Sequence, residues 1–309
     1  MRAAIYGAGA VGCVFGSALA RAGHDVTFIA RGTTLGAIRS RGVRIERTNG
    51  DTLDAPNAAA TDDPAEIGPV DLVLVCTKVW QVPEIAPKIR PLLKPDQTAV
   101  IPLQNGVDAP HHLASALGEQ HVLPGSCRVI CEIKEPAVIQ QTAFIQEITF
   151  GEFDDRPSDR VQDIAETLRA AEIAAVTPES IWAALWWKFA FISTLSAVGT
   201  VARMDAGQLR TNPETRDLLE RCLAEICDVG RARGVPIPDG TDREILAFID
   251  TIPADMTTSM QRDWQAGRPS ELDAQPGAVV RLGQEAGVPT PVCNVCYRVL
   301  APAERRARA

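Results

Sequence analysis

Arg2-Ala3-Ala4-Ile5-Tyr6-Gly7-Ala8-Gly9-Ala10-Val11-Gly12 opens the chain as a short apolar run that breaks into glycines. Arg2–Tyr6 reads as a strand, Val11–Ala22 as a helix and Asp25–Ala30 as a second strand. Residues 7–12 therefore spell G-x-G-x-x-G between a strand and a helix. Gly7 permits the tight turn, Gly9 lets a pyrophosphate approach the backbone, and Gly12 lets helix pack on strand. The helix start adds unpaired N–H groups and a positive dipole end, so Gly7, Ala8, Gly9, Ala10, Val11 and Gly12 are the expected dinucleotide contacts. The spelling alone is weak; the strand, helix and second strand in register give it weight. Residues 3–20 carry no charge and follow Arg2, which imitates a signal peptide or membrane span. Four glycines in that run argue against an isolated membrane helix, and the loop reading accounts for their spacing.

The end of the second strand bears on which dinucleotide is bound. An acid there would hold a ribose 2′-hydroxyl. This chain has Phe28-Ile29-Ala30-Arg31-Gly32-Thr33-Thr34, and Arg31 occupies that place. A guanidinium can pair with a 2′-phosphate, so the expected cofactor is NADP(H). The alternative is that Arg31 only caps the sheet edge.

Outward from this unit, short apolar strands alternate with helices, as in a Rossmann-like, doubly wound, mainly parallel α/β sheet. A hairpin is expected at Val43–Arg47 with the turn Asn49-Gly50. A strand buried on both faces is expected at Asp71–Cys76, and further strands at Thr98–Leu103, His121–Cys131 and Ile145–Phe150. Strand signals fade near Thr177, and helices are expected over Ser180–Gly199, Pro213–Arg231, Asp242–Ile249, Leu272–Glu285 and Pro291–Leu300. The expected division is residues 1–178 for the dinucleotide and an all-helical domain, residues 179–309, for substrate and catalysis.

A net charge of −8 and the absence of a basic stripe exclude a nucleic-acid partner. Arg305, Arg306 and Arg308 read as a frayed, solvated end. Eight scattered cysteines in 309 residues suit reduced thiols and a cytoplasmic location, without a membrane partner. Cys293 and Cys296 form a C-x-x-C that lacks a second ligand pair, and the four histidines form no metal spacing.

The remaining motifs are Thr77-Lys78-Val79-Trp80-Gln81, Gln104-Asn105-Gly106, Gly151-Glu152, Trp187-Lys188, Thr258-Ser259-Met260-x-x-Asp263, and Glu271 twelve residues after Ser259. In this order and spacing, with the glycine loop and Arg31, the chain resembles the ketopantoate reductases (2-dehydropantoate 2-reductases) of pantothenate biosynthesis over nearly its whole length. The resemblance implies NADPH-dependent reduction of a small 2-oxo acid to a 2-hydroxy acid. It implies Lys188 as proton donor, Glu271 as an active-site partner and Ser259 as a substrate contact. Asn105 and Lys78 would stand beside the nicotinamide and the substrate.

Chemistry read from the residues runs alongside. Hydride delivery to a ketone builds negative charge on oxygen and calls for a donor there. Lys188 has Ala184, Leu185, Phe191 and Ile192 as its helical neighbours, so partial desolvation towards a working acid is expected. The alternative is a snorkelling lysine with its ammonium in water. Asn105 follows the apolar strand 99–103, at a strand's carboxyl end, although Asn-Gly is also a common turn pair. Lys78 follows the strand 71–76, with a solvated loop lysine as its alternative. Glu271 reads equally as an active-site acid and as an ordinary first-turn carboxylate of the helix Leu272–Glu285.

The resemblance also implies asparagines four, eight and eighteen residues after the lysine, where this chain has Ile192, Ser196 and Ala206. Fewer amides predict a less polar substrate wall. Three readings stay open: a ketopantoate reductase, a paralogue for a more apolar 2-oxo acid, and a non-catalytic NADP(H)-binding sensor. The sensor would need neither Lys188 nor Glu271. An apolar helical domain is compatible with a homodimer.

Overall fold

The computed structural model describes residues 1–95 and 97–308. The opening run forms β1 (Arg2–Tyr6), α1 (Ala10–Arg21) and β2 (Asp25–Ile29). Then come α2 (Gly32–Arg41), β3 (Arg44–Arg47), β4 (Ala59–Thr61), β5 (Leu72–Val75), α3 (Val82–Ile85), β6 (Ala99–Pro102) and α4 (Ala109–Leu117). β7 (Gly125–Glu135), β8 (Val138–Phe150), α5 (Asp159–Ala170) and β9 (Ala174–Val176) complete the strand-bearing part. The chain divides into two compact units, Met1–Gln104 with Asp108–Ile181, and Asn105–Val107 with Trp182–Ala309.

In the first unit a parallel sheet has the order β4-β2-β1-β5-β6. All of β5 is buried, which explains why Leu72-Val73-Leu74-Val75 shows no polar alternation. The strand order reverses beside β1, so the loops after β1 and β5 emerge side by side, where open sheets form ligand crevices. Tyr6 pairs with Val75 there, and the Cys76 N–H donates to the Tyr6 carbonyl at 2.8 Å.

Val122 bridges in parallel to Val100 of β6, but the rest of the strands expected at His121–Cys131 and Ile145–Phe150 do not extend this sheet. They lie in a second sheet, β3-β8-β7, with β9 pairing with β8. Only Pro136 and Ala137 join β7 to β8, and so short a link forces antiparallel pairing. Ala137 turns the chain at φ 64°. The Asn49-Gly50 turn forms, with bridges Glu46–Thr52 and Val43–Ala55, while β3 itself runs parallel to β8.

Between the two sheets lies α1, which packs on β2 as well as on β3, β7 and β8. Its residues Cys13, Phe15 and Leu19 share one core with Ile5 and Phe28 below and Ile45, Ile148 and Phe150 above. A helix covered on both sides can be apolar all round. The uncharged run 3–20 is thus interior sequence, with no need of a membrane.

Helices α6 (Ile181–Ala202), α7 (Ala206–Thr211), α8 (Pro213–Ala232), α9 (Thr241–Thr251), α10 (Ser259–Gln265), α11 (Pro276–Ala286) and α12 (Pro291–Arg308) build the second unit. Their core joins Phe189 and Val198 of α6 to Leu223 and Ile226 of α8 and Val279 of α11. By length and composition α6 could cross a membrane, but 61% of its most apolar window is buried.

Two expectations need correction here. The helix expected at Leu272–Glu285 is broken: Leu272–Ala274 is one 3-10 turn, Gln275 lies at φ −110° and ψ −100°, and α11 starts at Pro276. A proline disfavours helical geometry in the residue before it, so the break falls at Gln275. The last helix does not stop at Leu300 and fray; it continues to Arg308. Arg308 is fixed by Glu304 one turn earlier and by the Ser270 carbonyl.

Candidate active site

Gly7 has φ 106°, and a Cβ there would sit 2.8 Å from the Thr77 nitrogen. The turn after β1 therefore presses on the segment after β5 and takes only glycine. A Cβ on Gly12 would lie 2.1 Å from the Gly7 carbonyl, whereas one on Gly9 meets nothing within 4 Å. The loop is closed on its protein side and open at Gly9. No side chain caps the start of α1, and no acid lies in its first turn. The N–H groups of Ala10, Val11 and Gly12 are thus left for an anion. Thr77 Oγ1 is buried without a hydrogen-bond partner beside the same turn. These features fit a dinucleotide pyrophosphate.

Arg31 is exposed and precedes α2 as its N-cap, in extended geometry. It lines a shallow depression of about 490 Å³ with Asp62, Asp63, Pro64, Lys88 and Pro91. Asp63 is engaged, accepting from the Ala65 N–H at 2.9 Å, and Lys88 pairs with Glu84. Lys78 is exposed after β5, its backbone N–H donating to Gln81 Oε1 and its Nζ 5.8 Å from the centre of the Trp80 ring. Gln104, quoted in a motif, was given no role from the sequence. It is buried, and its Nε2 ties the Val75 and Thr77 carbonyls together at 2.9 Å each, bracing the segment on which Gly7 rests.

In the second unit Asn105 Nδ2 donates to Glu271 Oε2 at 3.0 Å. Gly106 allows this approach: it has φ 99°, and a Cβ on it would stand 2.9 Å from the Ala274 carbonyl oxygen. Asn105-Gly106 bends the chain here, and its asparagine also reaches an acid 166 positions away. Gln275 Nε2 donates to the same Glu271 oxygen at 3.2 Å, while its own Oε1 is buried and unpartnered. Glu271 is 6% exposed and does not cap the turn that follows it. The ordinary first-turn reading is thereby replaced by a buried carboxylate held by two amides. Gln275 was missed because a glutamine inside an apparent helix carries no signal until Pro276 is seen to break it.

Lys188 is half-buried on α6, with Leu185 buried and Phe191 and Ile192 half-buried around it. Trp187, Phe191 and Phe248 form an aromatic group with ring centres 5.1 to 6.0 Å apart. Ser259 is half-buried in the first turn of α10. Its neighbour Thr258 caps that helix by accepting from Gln261 N–H, and Ser196 Oγ donates to Thr258 Oγ1 at 2.9 Å.

The three departures from the expected asparagines thus differ in kind. Ser196 is fully buried and braces α10, and Ala206 is 2% exposed in the helical core. Only Ile192 of the three keeps a partly open side chain. An apolar wall built from all three is not present.

All eight cysteines are free thiols. Cys293 lies 3.4 Å from Cys222, sulfur to sulfur, and burial pushes the Cys296 thiol up to about 12. Among the described residues no three His, Cys, Asp or Glu side chains gather in a way that could hold a metal ion.

Comparison with known proteins gives a consistent result. The family described as "Ketopantoate reductase PanE/ApbA" matches residues 3–155, and its C-terminal counterpart matches residues 180–304. A 2-dehydropantoate 2-reductase of Mesorhizobium japonicum is 30% identical over 334 aligned positions, covering 99% of this chain and 98% of its own. An uncharacterized oxidoreductase of Bacillus subtilis, YkpB, is 24% identical over 96% of this chain and 97% of its own. The crystal structure of a PanE/ApbA family ketopantoate reductase from Ralstonia eutropha superimposes with a TM-score of 0.89, at 30% identity and full coverage of both chains.

Proposed function

The chain belongs to the ketopantoate reductase family of oxidoreductases, and from that premise we propose that it reduces ketopantoate to pantoate with NADPH. The observation that carries this reading is the pairing of half-buried Asn105 with buried Glu271, shared with Gln275. Two motifs far apart in sequence meet in one polar cluster, as a reaction site requires and a chance turn does not.

When bound, the dihydronicotinamide supplies the hydride. The glycine loop would hold its pyrophosphate through the N–H groups of α1, and Arg31 would pair with a 2′-phosphate. As the C2 carbonyl of the oxo acid accepts the hydride, Lys188 Nζ donates a proton to the developing alkoxide, giving the 2-hydroxy acid. Its half-buried place among apolar side chains limits competing water. Glu271, fixed by Asn105 and Gln275, offers its other carboxylate oxygen to the substrate or to Lys188. Ser259 and Lys78 serve as further substrate contacts.

A second reading rests on Ile192 and the half-buried Trp187–Phe191 pair close to Lys188. These side chains suit an oxo acid with a more apolar substituent. One assay addresses both readings: NADPH oxidation over a panel of branched 2-oxo acids, for the unaltered protein and for Lys188→Ala. The expected result is turnover with ketopantoate and a loss of about 10²–10⁴ in kcat on removing Lys188, with NADPH binding retained. Unchanged kcat in Lys188→Ala would return that lysine to a snorkelling role.

A further inference from the structure

Glu271 owes its place to more than the amides that hold its side chain. The residue before it, Ser270, is completely buried, and all of its polar groups are held by two side chains of α12. The Ser270 N–H donates to Glu304 Oε1 at 2.9 Å, and the Ser270 hydroxyl donates to Glu304 Oε2 at 2.6 Å. Arg308 closes the ring: its Nε donates to Glu304 Oε1 at 2.7 Å and its Nη2 to the Ser270 carbonyl at 2.7 Å. Glu304 is 2% exposed, so this carboxylate is spent inside the protein rather than on solubility. A buried charge survives only when paired and hydrogen-bonded, and here Ser270 and Arg308 supply the hydrogen bonds.

The residue after Glu271 is held by the same helix. Leu272 is fully buried and packs with Leu300 and Ala301 of α12 and with Met260 of α10, while Trp264 Nε1 donates to the Leu300 carbonyl at 3.2 Å. Backbone on both sides of Glu271 is therefore anchored to one helix, by charge before it and by apolar packing after it. Glu304 and Arg308 are one turn apart, on one face of α12.

We propose that Glu304 and Arg308 are positioning residues for Glu271, setting the main-chain geometry from which its carboxylate meets Asn105 and Gln275. The proposal rests on the reading of Glu271 as an active-site residue. Because small displacements of a reacting group are costly, loosening this clamp should act on turnover without touching the dinucleotide loop, which belongs to the other unit.

The test is a double-mutant cycle on the full chain, with kcat and KM for the oxo acid and the Kd for NADPH read for each variant. Arg308→Met should lower kcat/KM by roughly 10- to 100-fold with the NADPH Kd unchanged, and Arg308→Lys should recover part of the loss. In a Glu271→Ala background, Arg308→Met should cost nothing further, because the group it positions is gone. The proposal is overturned if Arg308→Met turns over normally, or if it costs the same factor in both backgrounds, the mark of a general structural effect. Normal turnover in Glu271→Ala alone would remove the reading of Glu271 and the clamp's purpose with it, a failure seen without altering α12. Should Arg308→Met not fold, Glu304→Gln, which keeps the side chain's shape, is put through the same cycle with the same outcomes.

Discussion

Ser196 Oγ donates to Thr258 Oγ1 at 2.9 Å across two helices, and neither residue reaches solvent. The hydroxyl of Thr258 in turn caps the first turn of α10, which carries Ser259. Ser196 therefore bears on Ser259 through the placement of α10. Ser196→Ala should lower unfolding free energy by about 0.5–1.5 kcal/mol, the net worth of one hydrogen bond, because Thr258 Oγ1 still accepts from the Gln261 N–H. Ser196→Asn, which restores the residue type implied by the family pattern, should not improve kcat/KM for ketopantoate, because a larger side chain must strain this closed position. A gain in kcat/KM with unchanged thermal stability would show that the position opens onto substrate after all.

Glu152 gives the first unit an acid-sensitive contribution. Burial pushes its carboxyl up, but hydrogen bonds from Arg160 and Ser158 outweigh this, and its value lies below the ordinary 4.5. Arg160 Nε donates to Glu152 Oε1 at 2.6 Å and the Ser158 hydroxyl donates at 2.5 Å. A carboxyl depressed in the folded state stabilises fully above its unfolded value and loses that contribution as pH falls through the folded one. Unfolding free energies measured from about pH 6 down to about pH 3 should fall more steeply for the unaltered protein than for Glu152→Gln. Parallel curves would mean that the Arg160 contacts do not persist in solution.

The first unit could be read early because its rules are local. The turn at Gly7, the start of α1 and the apolar β5 each follow from neighbouring residues, and their juxtaposition follows from parallel crossovers. The second sheet was harder: Val138–Gln141 alternates weakly, and nothing nearby tells that β3 will run parallel to β8. In the helical unit, periodicity located α8 and α11 but missed α7 and α10, which are short and owe their ends to the caps Asp205 and Thr258. Family likeness picked out Asn105 and Glu271 individually. Their contact, and the parts played by Gln275 and Glu304, depend on a break at Pro276 and on a helix running to Arg308. Both are long-range outcomes that no window of sequence contains.

Arg31 is expected to decide between the two nicotinamide dinucleotides. It stands exposed at the end of β2 with Lys88 and two aspartates around the same depression. NADPH should bind more tightly than NADH, and Arg31→Ala should erase most of that preference. The loss should be about ten- to a hundredfold, the worth of one charge-assisted hydrogen bond. Titration of both cofactors against both proteins reads this directly. Equal affinity of the unaltered protein for NADPH and NADH would show that Asp62 and Asp63 cancel the cation.

Substrate choice is expected to turn on Ile192, which among the three departures from the family pattern keeps a partly open side chain on α6, one turn beyond Lys188. If ketopantoate is the substrate, its terminal hydroxyl must be recognised by other groups, and the analogue lacking that hydroxyl should react far more slowly. A site with a hydrogen-bonding partner for a hydroxyl can reject the deoxy compound by about 10⁴-fold, whereas an apolar wall distinguishes the two only weakly. Each added buried methylene on the substrate would instead contribute about 0.8 kcal/mol at an apolar wall, roughly a fourfold gain. The measurement is kcat/KM for ketopantoate, its deoxy analogue and a homologue one methylene longer, for the unaltered protein and for Ile192→Asn. Strong preference for ketopantoate in the unaltered protein supports the primary assignment. A preference for the longer, deoxygenated acids that Ile192→Asn reverses would replace ketopantoate with a more apolar 2-oxo acid.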